Sequence, residues 1–302
     1  QDNFANPDTG VRRLIPDYEK YDLGIYSVAD YKLNENWQFE AGVRFDYIYM
    51  DVYKFYKKTL WEQRGYDILF PDLVVDEFGF QILTNPELEF NNFSGTIGLI
   101  HKLSDKSKLF LNHAIASRAP NPSELFSEGL HHAIARIEIG DLRFKSEVGH
   151  KTSLTYEYLG KNLNFSINPF INNIKDFILI EPVELVETIR GNFPSWEYRQ
   201  TNAQLFGVDV DASLKINDLL SLNHQLSIVK GYDKDRDLPL INMPPISTKN
   251  EISYNNKNLN NLQINLESEF VFAQNEYPDN NFEIFLPFEQ PTELLDVSTP
   301  PD

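Results

Sequence analysis

Hydrophobic and polar residues alternate along long stretches of the chain. From Gln38 to Tyr53, Phe39, Ala41, Val43, Phe45, Tyr47 and Tyr49 share one parity, while Gln38, Glu40, Gly42, Arg44 and Asp46 share the other. Successive side chains of a strand point to opposite faces, so this spacing makes a strand with one apolar and one wet face. The pattern returns from Gln204 to Ile216, where Phe206, Val208, Val210, Ala212, Leu214 and Ile216 oppose Gly207, Asp209, Asp211, Ser213 and Lys215. Leu262, Ile264, Leu266, Phe270 and Phe272 repeat it against Asn261, Gln263, Asn265, Glu267 and Glu269. Such strands are longer than the roughly 5–6 residues usual in soluble sheets.

Read in order, the alternation predicts strands near 21–33, 37–53, 92–103, 107–117, 146–160, 163–180, 197–216, 220–232, 246–256 and 260–273. Every second junction is a tight polar turn: Asn34-Glu35-Asn36, Ser104-Asp105-Lys106, Gly160-Lys161-Asn162, Asn217-Asp218-Leu219 and Asn255 to Asn258. The other junctions, 54–91, 118–145, 181–196, 233–245 and 274 onward, are long and hold most of the prolines. Short turns at one end and long loops at the other are the asymmetry of an outer-membrane barrel. The predicted fold is therefore all-β, an antiparallel transmembrane β-barrel seen in part, with short periplasmic turns, long extracellular loops and the whole of 1–302 as barrel. The alternative is a soluble antiparallel β-sandwich acting as a ligand- or carbohydrate-binding module, because one buried sheet face also produces alternation. Aromatics near strand ends, such as Tyr47, Tyr49, Tyr156 and Tyr158, suit interfacial girdles in the first case and a core in the second.

Composition removes other classes. Of 302 residues, 41% are hydrophobic and 13% aromatic, too many for a disordered chain. A net charge of −18 repels phosphate backbones, which argues against a nucleic-acid partner. Without cysteine there is neither a disulfide framework nor a thiolate metal site. No apolar run approaches the roughly 20 residues of a spanning helix. The sequence contains no nucleophile elbow, Walker loop, His-Glu-x-x-His helix or dinucleotide fingerprint, so an enzyme is not expected.

Particular motifs then carry a resemblance. The run Leu109 to Phe126 ends a strand in Arg118-Ala119-Pro120 and continues to Glu124-Leu125-Phe126, which is similar to the Arg-x-Pro turn and Glu-Leu-Phe element of TonB-dependent receptors. Gly140-Asp141-Leu142-Arg143-Phe144-Lys145-Ser146-Glu147 resembles the family's entry to the next strand, with the leucine displaced. Arg199 to Asp209, containing Gly207, resembles a further strand with shortened spacing and Asp209 in place of glutamate, and Leu240 to Pro245 resembles a recurring loop exit. The resemblance implies a receptor in the cell outer membrane, surrounded by its lipid. It would import an iron siderophore, haem or another metal chelate, with energy from TonB and its inner-membrane complex acting through an N-terminal plug. Family members have barrels of about 22 strands. This chain shows about ten, with no plug and a non-aromatic end at Pro301-Asp302, so it reads as an internal fragment.

The resemblance also directs attention to the long loops for ligand groups. No intrinsic cofactor is expected; any metal complex is cargo. His131 and His132 either hydrogen-bond within a folded loop or coordinate haem iron or a metal ion. Trp196 and Tyr198 either stack on an aromatic ligand or anchor at the membrane interface. Arg136, Arg190 and Arg199 either clamp an anionic chelate or pair internally. Arg118 and Glu124, flanking the Pro120 turn, are expected to pair with each other or with a plug, and Asp209, Asp211 and Lys215 to face a wet lumen.

Overall fold

The computed structural model describes residues 14–278 and the backbone of three short strands, Asp2–Phe4, Phe282–Ile284 and Glu293–Leu295. The predicted last loop beyond 278 and the chain end at Pro301-Asp302 lie outside the described residues, save for the last two of those strands.

Alternation becomes ten long strands: β1 (Asp17–Lys32), β2 (Trp37–Lys57), β3 (Glu87–Ser104), β4 (Ser107–Arg118), β5 (Glu147–Leu159), β6 (Leu163–Thr188), β7 (Gly191–Lys215), β8 (Leu220–Asp233), β9 (Ser247–Asn256) and β10 (Leu262–Val271). Each pairs antiparallel with the next. They form one continuous sheet rather than the two packed sheets of a sandwich, and among the described residues β1 and β10 do not pair.

Register carries the apolar parity across the whole sheet. Ile25 stands beside Phe45, and Phe45 beside Phe93. Farther round, Phe165, Ala212 and His224 share a row, as do Leu222, Ile252 and Leu266. Leu23 and Ile25 are each 73% exposed, an unfavourable surface in water. Moving such a side chain into hydrocarbon stabilises by about 1.5–3 kcal/mol. The face is therefore the lipid contact of a barrel wall.

Tight turns close the periplasmic end by local chemistry. The Asn34 side chain accepts from the backbone of Asn36 and Trp37, at 2.9 and 3.0 Å. Asn217 does the same for Leu219 and Leu220, and Asn260 and Asn261 supply left-handed φ before β10.

At the other end the strands run past the apolar band. β2 continues to Lys57 and β3 begins at Glu87, so part of the predicted 54–91 loop is sheet. The predicted 181–196 loop is a correction: β6 and β7 extend into a long hairpin closed by a turn at 189–190. A register shift between Ile174 and Phe177, with Asp176 at φ 55°, marks the hairpin's exit from the wall. Beyond it, segments pack on the strands and strict alternation is no longer required.

The hydrophobic core lies there, in an extracellular cap. Met50, Val52 and Tyr56 from the end of β2 pack with Trp61, Tyr66, Ile82, Leu125, Phe126, Leu142, Phe144 and Ile178. Helices α1 (Lys58–Gln63) and α2 (Tyr66–Leu69) bring in Trp61 and Tyr66, whose rings meet edge-on at 5.1 Å. The hairpin Val74–Phe78 and Gln81–Thr84 adds to the edge of β2.

Candidate functional site

The cap is held by the segment that carries the sequence motifs. Pro120 ends β4, and Pro122 opens α3 (Pro122–Phe126), capped by a reciprocal box between Asn121 and Glu124. Arg118 donates to both Glu124 oxygens at 3.0 and 3.1 Å and to Glu147 at 2.7 Å. The internal pairing is therefore the one that forms, and it ties the ends of β4 and β5 to the helix.

Gly140 passes so close to this helix that an added Cβ would lie 2.6 Å from the Glu124 carbonyl oxygen. Its neighbour Asp141 accepts from the Tyr66 hydroxyl at 3.0 Å, and that hydroxyl accepts from the Leu142 amide at 3.1 Å. Burial opposes ionisation of Asp141, but hydrogen bonds from Arg143 hold its carboxyl below the usual value. Burial and the adjacent Asp141 push the Tyr66 phenol up to about 12. Arg118, Pro120, Glu124, Gly140 and Asp141 thus build the scaffold. Gly207, in the wall, makes room of another kind: a Cβ there would lie 2.1 Å from the Ile228 carbonyl oxygen and 3.0 Å from the Phe170 ring.

Lys54 lies on β2 above the band, 4% exposed. Its Nζ donates to the Phe126 carbonyl at 2.6 Å and lies 4.5 Å from the Tyr56 ring centroid. Glu128 Oε2 is 3.3 Å away, a charge contact without hydrogen-bond alignment. Burial lowers the ammonium to about 8 against the opposing pull of Glu128.

Four of the residues singled out in the sequence meet around Glu138. The short strand Arg136–Ile139 runs parallel to β7, opposite Ser195, Trp196 and Glu197, and pairs antiparallel with Glu128–His131. Glu138, 4% exposed, accepts from Arg136 Nε at 2.8 Å and faces His131 Nδ1 at 3.1 Å. The Arg136 guanidinium lies 4.6 Å from the Trp196 ring centroid. Tyr198, on the same parity of β7, has its phenol pKa raised by burial and by the Glu138 charge, against a hydrogen bond from Ser123. His132 is exposed in the following turn and does not join His131 on one partner.

Arg199 has the opposite parity and belongs elsewhere. It bonds Glu181 Oε1 at 2.5 Å and also pairs with Asp233, while Arg236 reaches Glu181 at 2.8 Å. Arg190 sits in the exposed hairpin turn. In the wall, Asp209 and Asp211 accept from Ser227 and Gln225 across to β8. Among the described residues no three His, Asp or Glu side chains gather as a metal site.

Sequence reasoning passed over Glu138. Its signal was the alternation Arg136-Ile137-Glu138-Ile139, a short strand placing Arg136 and Glu138 together on one face.

Comparison with known proteins gives a consistent family. Residues 1–298 match the family described as "TonB dependent receptor-like, beta-barrel". Among solved structures, the chain is similar to the copper transporter OprC, with a TM-score of 0.66 at 18% identity over 87% of this chain and 36% of that one. It is also similar to the FrpB iron transporter from Neisseria meningitidis (0.54, 17%, 85% and 33%). A third is the ferric yersiniabactin uptake receptor FyuA from Yersinia pestis (0.56, 13%, 80% and 32%). The chain spans about a third of the length of these structures. No curated protein matches.

Proposed function

The chain belongs to the TonB-dependent receptor family as part of its outer-membrane β-barrel, and we propose that its receptor captures an iron siderophore, haem or another metal complex on the Glu138-centred part of the cap. The family consists of transport receptors rather than enzymes. Import would draw on TonB and its inner-membrane complex, acting through a plug domain.

The observation that carries this reading is the meeting of His131, Arg136, Trp196 and Tyr198 around one buried carboxylate, on the extracellular side of the wall. A carboxylate on one imidazole nitrogen fixes the ring and leaves the other for an iron or copper centre. Arg136 supplies a fork for an anionic chelate, and its stacking on Trp196 holds that fork in place. Further support comes from the similar solved structures, which are a copper transporter, an iron transporter and a ferric yersiniabactin uptake receptor.

The test is equilibrium titration of the full receptor in detergent with haem, a ferric catecholate, a ferric hydroxamate and Cu(II). His131→Ala and Arg136→Ala should each weaken the bound member of that panel by about tenfold or more, the loss of roughly one charge-assisted contact. Arg199→Ala, in its separate ion-pair cluster, serves as the comparison. Unchanged affinity in both cap variants would remove the Glu138 region as the capture site.

A further inference from the structure

On the lipid-facing parity of β4–β7, polar side chains stand among apolar ones. Register places Ile97, His113, Thr152, Ile171 and Phe206 in one row, and Ile115, His150, Asn173 and Gln204 in the next. Directly paired residues share a face, and Ile97, 64% exposed on the lipid side, identifies that face as the outer one. His113 is seven residues beyond the turn at Lys106, about 17 Å of rise for a strand tilted by about 45°. In an apolar band about 25 Å tall, that is inside the hydrocarbon. Asn173, eleven residues beyond Asn162, stands at the upper edge, so the polar strip climbs from the interior of the band to its rim.

The strip is only half satisfied. His113 Nδ1 meets Thr152 Oγ1 at 2.9 Å, which leaves Nε2 of the ring without a partner among the described residues. Gln204 donates to Asn173 Oδ1 at 2.7 Å, and the Asn173 amide nitrogen and Gln204 carbonyl oxygen are likewise left over. The His150 ring adds a second imidazole, 6.1 Å from that of His113 between centroids. The backbone has a gap at the same place. The β5–β6 ladder is interrupted between Ser153–Phe170 and Tyr156–Ile167, where Pro169 has no N–H to give. Hydrocarbon satisfies none of these groups.

Depth and chemistry identify the cover as a second copy of the receptor. A two-fold axis along the membrane normal brings every residue to its own height in the partner, so the strip meets polar groups at its own depth in the hydrocarbon. The strip holds no carboxylate, lysine or arginine, so no like charges confront each other across the axis. Its amides and hydroxyl both donate and accept, which makes it complementary to itself. A face four strands wide and about 25 Å tall offers about 500 Å2 per copy and about 1,000 Å2 in all, the size at which a specific interface begins.

We propose that the outer face of β4–β7 joins two copies of the receptor side by side in the membrane, with His113, Thr152, Asn173 and Gln204 hydrogen-bonding between them. The interface lies on the opposite side of the wall from the lumen and is independent of the cargo.

The experiment measures distances between copies of the full receptor in lipid vesicles by pulsed electron paramagnetic resonance, with any other cysteine removed. A nitroxide on Lys175→Cys, just above the strip on the outer face of β6, should report a copy-to-copy distance within about 30 Å, given a strip four strands wide. A nitroxide on Glu19→Cys, on the outer face of β1, should report no distance that short. His113→Leu, Asn173→Leu and Gln204→Leu together should lower the short-distance fraction about tenfold at a fixed protein-to-lipid ratio, the loss of a few hydrogen bonds made in the membrane. Unchanged heat-modified gel mobility shows that the barrel has folded; Asn173→Leu alone, at the rim, should lower the fraction in part and serves if the triple variant does not fold. Asn250→Leu, which removes the 2.7 Å partner of His224 on the same face of β8–β9, should leave the fraction as it was. Absence of the short distance in the wild-type receptor overturns the proposal and leaves a different membrane protein as the cover. An equally short distance from Glu19→Cys, an undiminished fraction in the polar-strip variants, or an equal fall with Asn250→Leu overturns it as well.

Discussion

The ammonium of Lys54 donates a 2.6 Å hydrogen bond to the carbonyl oxygen of Phe126, 72 residues further along the chain. One side chain thereby joins the end of a membrane strand to the helix inside the 118–145 connection. With Glu128 at 3.3 Å, it makes two loops into one packed body.

Lys54→Met should loosen that body, because it leaves the Phe126 carbonyl without its buried donor. The expected cost is about 1–3 kcal/mol of cap stability. Urea unfolding followed by Trp61 fluorescence, with Trp37 and Trp196 replaced by Phe, measures it. Adding Glu128→Gln to Lys54→Met should recover little; a large recovery would mean that the charge pair, not the Phe126 hydrogen bond, is what matters.

The same assay should show a defined pH dependence. Lys54 has a folded value of about 8 against 10.5, so between these values the unfolded chain holds more protons and stability rises with pH. Tyr66 has a folded value of about 12 against 10.0, so above pH 10 the unfolded chain loses a proton that the cap retains, and stability falls. Together they give a maximum near pH 10. Lys54→Met should abolish the rising limb and leave the fall.

Gly140→Ala should separate close approach from backbone conformation. The glycine does not need a left-handed φ, but its Cβ would meet main-chain atoms of Glu124, Leu125 and Phe126 at 2.6–2.8 Å. Backbone cannot swing aside as a flexible side chain can, so a loss of about 1–3 kcal/mol is expected. Limited proteolysis within 118–145 should become faster, while the heat-modified gel mobility of the barrel stays unchanged.

The two wall faces should respond oppositely to charge. Ile97, 64% exposed on the lipid side, should lose about 2–4 kcal/mol of barrel stability on substitution by arginine. Glu40→Gln, on the wet parity of the adjacent strand, should change it by less than about 0.5 kcal/mol. Equilibrium unfolding from lipid vesicles distinguishes the two.

The wall was legible because a sheet with lipid on one side must keep strict parity; a shift by one residue would place Asp209 and Asp211 in hydrocarbon. The cap was not. Met50, Val52, Trp61 and Phe126 become a core only when connections far apart in sequence meet, and no local period records that meeting. The part of the β6–β7 hairpin beyond Ile180 was also hidden, because Pro182 and Pro194 stand where an ordinary strand is not expected. At the site, parity did hold information: it joins Trp196 to Tyr198 and sends Arg199 to Glu181 and Asp233. Parity also puts Arg136 and Glu138 on one face; what it could not supply was their meeting with His131 and Tyr198, which come from other segments.

Placing the packed core outside the membrane reverses the usual tolerance of wall and loop to change. Lipid has no fixed shape, so Leu23 or Ile25 can be exchanged for another apolar residue with little consequence. Tyr66 cannot: it packs against Tyr56, Trp61 and Phe70 and serves Asp141 and Leu142 through its hydroxyl. In this receptor the connections on the outside are the part with the least freedom to drift.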